Sequence, residues 1–181
     1  MELLHRFRFQ VDLAITGHPT VASSVSSTHR TSKAQALQDF DDFLMAMDDQ
    51  LQALRDEAAG RNMTLDLSTA DLDRLEKLFD LMTQGVDKDT RSSLVVSFAR
   101  HLGEIVRLNY GGKWVLPLED EKNVNFNRPV ISGHSRIDRL EFAPLTVMKA
   151  YSIRKKPGTL KRAVQAQIDP KPLDIDGLME E

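Results

Sequence analysis

The chain contains no cysteine. Disulfide staples, thiolate metal sites and cysteine nucleophiles are therefore excluded together. Aromatic residues are scarce, at 6% of 181 residues with a single tryptophan, so Leu, Val, Ile and Met must fill most of any core. No run approaches the roughly 18 apolar residues of a membrane span. The segment Met1 to Ile15 lacks the continuous apolar stretch of a secretory signal. Charge of one sign is also lacking: 24 Lys and Arg stand against 27 Asp and Glu, a net charge of -3. That balance is far from the strongly basic signature of a nucleic-acid binder. A cytoplasmic protein is expected, with neither membrane nor nucleic acid among its partners.

Hydrophobic residues at 41% and charged residues at 28% are ordinary for a globular chain, and the length suits one domain with tails. In residues 1–32, Leu3, Phe7, Phe9, Val11, Leu13 and Ile15 alternate in a strand-like way. A Ser/Thr-rich stretch follows, so this part resembles a poorly ordered appendage or linker. One helix is predicted over residues 33–59, with Leu37, Phe40, Phe43, Leu44, Met47, Leu51, Leu54 and Ala58 on one face and Gly60 and Asn62 closing it. A second is predicted from Ser68 as N-cap to Gln84-Gly85, and a third from about Lys88 to Asn109. After Gly111-Gly112 the pattern becomes β-rich. Short strands are predicted at Lys113 to Leu118, Asn123 to Phe126, Pro129 to Ile131 and Ile137 to Phe142. A helix begins near Pro144, breaks at Pro157-Gly158 and resumes to Ile168. Residues 169–181 form an acidic tail. The expectation is an α+β fold: a three-helix N-terminal half, a small mostly antiparallel sheet, and a C-terminal helix or broken helix pair, in a single domain over residues 33–168.

The segments Leu102-Gly103-Glu104, Gly111-Gly112-Lys113-Trp114, Asn127-Arg128-Pro129-Val130-Ile131-Ser132-Gly133 and Phe142-Ala143-Pro144 succeed one another in a characteristic order. In this the chain resembles a set of small uncharacterised bacterial proteins with a helix–Gly-Gly-x-Trp–strand pattern, over roughly residues 34–165. Some of those look like immunity proteins of toxin systems. The resemblance implies a protein-binding role with no cofactor, and carries over no catalytic residue.

The charge pattern points the same way. Residues 39–57 carry seven acids and one base, whereas residues 149–162 carry six bases and no acid. A helix whose apolar stripe faces the core must turn Asp41, Asp42, Asp48 and Asp49 toward solvent, where they would steer a basic partner such as a toxin domain. The competing enzymatic reading is a metal-assisted hydrolase. His101 and Glu104, three apart on a helix, would share a metal with a third ligand such as His134 or Asp138. Two ligands at a common spacing are weak support for it. Ser132, His134 and Asp138 include triad residue types but sit together on one loop. Gly111-Gly112 follows a helix and precedes a strand, the reverse of a phosphate-binding loop, and so should serve as a helix C-cap and tight turn. Gly103 inside a helix costs roughly 1 kcal/mol relative to alanine, which predicts close approach by another backbone, such as the following strand. Trp114 is expected to be largely buried.

Overall fold

The computed structural model describes residues 32–168. The predicted N-terminal alternation and linker up to residue 31, and the acidic tail, lie outside the described residues. The architecture is α+β: among the described residues, four helices precede a three-stranded antiparallel sheet and two follow it.

The expected single helix over residues 33–59 is two. Helix α1 spans Lys33–Met45 and α2 spans Met47–Ala59, separated at Ala46, whose ψ of -2° departs from helical geometry. Ser32, expected to end the linker, instead caps α1: its Oγ accepts the Gln35 amide at 3.1 Å. The break divides the apolar stripe. Met47, Leu51, Leu54 and Ala58 are buried, whereas Phe40, Phe43 and Leu44 are only half-buried and Leu37 is exposed. Two attachments explain this. Phe43 meets Trp114 edge-on at 5.2 Å, and the Arg100 guanidinium lies 4.2 Å from the Phe43 ring centre. Helix α1 is thus pinned near its C-terminus, and of its first turns only Ala36 is buried. Beyond α2, Asn62 adopts the expected left-handed backbone, but Gly60 stays right-handed, with φ -59°.

Helix α3, Asp71–Met82, starts two residues later than predicted, with Ala70 rather than Ser68 at the N-cap position. The loop before it is held instead by Asp71, whose Oδ2 accepts the amides of Asp66 at 2.9 Å and Leu67 at 2.8 Å. Helix α4, Lys88–Tyr110, runs as predicted through the middle of the core. Asp87 caps its start by accepting the Thr90 amide. At its end the Gly111 amide bonds to Arg107, with Gly111 at φ 86°.

Strands β1 (Lys113–Val115) and β3 (Glu141–Phe142) are shorter than predicted, β2 (Val130–Ser132) is shifted by one residue from Pro129 to Ile131, and the three pair in chain order. Trp114 lies opposite Ile131, and Ile131 opposite Phe142. The strand expected at Asn123 to Phe126 is a run of turns. The Asn123 side chain accepts the Asn125 amide at 2.8 Å, and both asparagines donate to Glu141. These local bonds compete with a strand ladder. Gly112, at φ 89°, permits the close approach of β1 to β2: a Cβ there would sit 2.6 Å from the Ser132 carbonyl oxygen.

Helices α5 (Pro144–Arg154) and α6 (Thr159–Ile168) are the predicted broken pair. The chain turns at Lys155, left-handed with φ 46°. Glu76 of α3 then caps α6, accepting the Gly158 amide at 2.7 Å and the Leu160 amide at 2.8 Å. Tyr151 donates to Asp80 at 3.0 Å, and burial followed by the nearby Asp80 carboxylate pushes its pKa upward.

Candidate functional site

The four aspartates singled out in the sequence fall across the α1–α2 junction. Asp41, Asp48 and Asp49 are exposed, and Asp42 is half-buried. Asp42 accepts a hydrogen bond from Gln38 at 3.0 Å; among the described residues no cation forms an ion pair with any of the four. Between the two aspartate pairs stands Met45, 81% exposed. It ends α1, four residues after Asp41 and three after Asp42, the spacings of neighbours on a helical surface, and Asp48 and Asp49 follow in the first turn of α2. Sequence periodicity missed Met45 because it falls outside the apolar stripe. The signal that would have found it is that very displacement: a large apolar side chain among carboxylates.

The residues of the competing metal reading are engaged elsewhere. His101 is fully buried, and its Nε2 lies 3.1 Å from Asp71 Oδ2, a carboxylate that also accepts from Arg74 at 2.9 Å. This links α4 to α3 and to the loop before it. Glu104 accepts two hydrogen bonds from Arg107, at 2.8 and 2.7 Å, and one from Trp114 Nε1 at 2.8 Å. Burial works against its charge, but the bonds from Arg107 and Trp114 outweigh it and hold the carboxyl below its usual pKa range. Asp138 is exposed beside Arg139. Among the described residues no group of three or more His, Asp or Glu side chains could hold a metal ion. His101 and Glu104 thus share a helix flank but serve different partners.

Gly103 has the neighbour its position demands. A Cβ there would run into the six-membered ring of Trp114, with Pro144 Cγ 3.1 Å away. The approaching group is a side chain of β1 rather than a backbone. Trp114 is half-buried, less than expected, because its ring leans over α4 with its N–H reaching Glu104.

Arg100 is 5% exposed and has no carboxylate partner among the described residues. Its Nε donates to the Phe43 carbonyl at 3.4 Å, and burial lowers its pKa to about 10. Of the basic segment, Lys155 reaches Asp80 at 3.4 Å, while Lys149, Arg154, Lys156, Lys161 and Arg162 stay exposed. His134 is 4% exposed and borders a cleft of about 600 Å³. No protein-family model, curated protein or solved structure matches this chain. Among the described residues no helix is long and apolar enough to cross a membrane.

Proposed function

We propose that this chain is a small protein-interaction module that binds a basic partner domain through the α1–α2 face, in the manner of an immunity protein neutralising a toxin. The observation that carries it is Met45, 81% exposed, between Asp41 and Asp42 on one side and Asp48 and Asp49 on the other. An apolar anchor with a charged rim is the general anatomy of a protein-binding patch. The rim carboxylates repel one another in the free protein and attract a basic surface from a distance, which raises the rate of encounter. The resemblance to immunity-type proteins supports the same role. That role needs no catalytic chemistry or cofactor, and the absence of cysteine suits a cytoplasmic site of action.

The test is co-expression with a basic, toxin-like domain encoded by an adjacent gene, followed by stopped-flow association. Replacing Asp41, Asp42, Asp48 and Asp49 by Asn should slow association at low salt by about tenfold or more, and the difference should shrink as salt rises. Met45→Ala should act mainly on dissociation. An on-rate unchanged in the quadruple variant would make this a solvated face and remove the proposal.

A further inference from the structure

Helices α5 and α6 present a basic face. Residues 149–162 hold six bases and no acid. Among the described residues only Lys155 finds a carboxylate, Asp80 at 3.4 Å. Lys149, Arg154, Lys156, Lys161 and Arg162 are exposed and form no ion pair there. Ile153 is 75% exposed in their midst, one helical turn after Lys149 and directly before Arg154. Like charges held together repel one another, and an opposite charge brought close relieves that repulsion.

The next stretch of the chain has the complementary composition. The thirteen residues after Ile168 carry five acids, Asp169, Asp174, Asp176, Glu180 and Glu181, against one base, Lys171. Leu173, Ile175, Leu178 and Met179 are interleaved with those acids. The length also suffices. The ten residues of α6 measure about 15 Å, and the six residues from Ile168 to Asp174 span up to about 20 Å. Acids from Asp174 onward can therefore reach back over α6 to the turn at Lys155 and on to α5.

We propose that the acidic segment 169–181 docks on the basic α5–α6 face and covers it. Its carboxylates neutralise the exposed bases, and the apolar residues among them lie against Ile153. Covalent attachment favours this occupant over a separate acidic partner, because a tethered segment acts at an effective concentration in the millimolar range. A nucleic acid suits the face less well. Tyr151 is the one aromatic of residues 149–162, and it is buried against Phe79, which leaves no stacking platform. The cover also keeps the basic face of one copy from the acidic α1–α2 face of another, whatever α1–α2 itself binds.

The absence of cysteine supplies the test, since Gly177→Cys gives the full chain a single thiol for a nitroxide label. Paramagnetic broadening is then read at each backbone amide by NMR. At about 20 mM salt the amides of Lys149, Ile153 and Lys156 should lose at least half of their signal. The loss should fall at least twofold at about 0.5 M salt, where screening is strong. It should fall as far in the exposed triple variant Lys149→Gln, Arg154→Gln, Lys156→Gln. No broadening on α5 at low salt, or broadening indifferent to salt and to the triple variant, would overturn the docking. A mixture of labelled chain with isotope-enriched, unlabelled chain separates the occupants. Broadening as strong between chains as within one would assign the face to a second copy and overturn the tethered cover.

Discussion

Gly103→Ala sets two opposing effects against each other at one position. In an exposed helix interior this exchange gains about 1 kcal/mol. Here the new Cβ would occupy space held by the Trp114 ring, with Pro144 Cγ 3.1 Å away on another side. Overpacking of this kind costs about 1–3 kcal/mol. The ring cannot withdraw freely, because Trp114 Nε1 donates to Glu104 at 2.8 Å and Phe43 lies edge-on at 5.2 Å. A hydrogen bond to a charged group contributes about 1.5–3 kcal/mol, so displacing it adds to the cost. The net expectation is a loss of about 2–4 kcal/mol. Urea unfolding followed by the fluorescence of the single tryptophan, and independently by circular dichroism, measures it. Trp114→Ala alone should cost about 3 kcal/mol, the low end for a large aromatic because the ring is half-buried. In that background Gly103→Ala should change sign and stabilise by up to about 1 kcal/mol. A single Gly103→Ala variant as stable as the parent would refute the close-approach argument.

Glu76→Ala should cost about 3 kcal/mol in thermal or urea unfolding, because it strips two backbone amides at the start of α6 of a buried carboxylate; a change under about 1 kcal/mol would mean that water replaces the cap. Asp71→Ala should cost about 3–5 kcal/mol, since Arg74, His101 and two loop amides all lose their acceptor. Amide exchange should then rise first at Asp66 and Leu67. Burial holds the His134 pKa below the free value of 6.5, so the unfolded chain takes up its proton first. The stability linked to His134 is complete above that value and is lost as pH falls through the lower folded-state value. From pH 8 to pH 5 the parent should lose stability relative to His134→Asn, read as the shift of its unfolding midpoint against that of the variant.

The order of elements and their types were determined locally. The stripe of α4 through Leu94, Phe98, Leu102 and Ile105, its glycine stop, and the broken pair α5–α6 were legible because periodicity and backbone chemistry act over a few residues. The acidic concentration across α1 and α2 was legible for the same reason. What escaped was decided at long range. Helix α1 parts from α2 at Ala46, and Phe43, beside that break, packs against Trp114 and Arg100, far along the chain. Asp71 is also the acceptor for His101, thirty residues on. Glu76 carried no local signal, and only the return of α6 made it a buried cap. The strand expected at Asn123 to Phe126 was lost to Glu141, which draws in both asparagine side chains. The metal set failed similarly, since His101 and Glu104 were committed to partners that helix spacing does not reveal. A polar side chain's partner is chosen by whichever segment the fold delivers to it, and delivery over tens of residues leaves no periodic trace in the sequence.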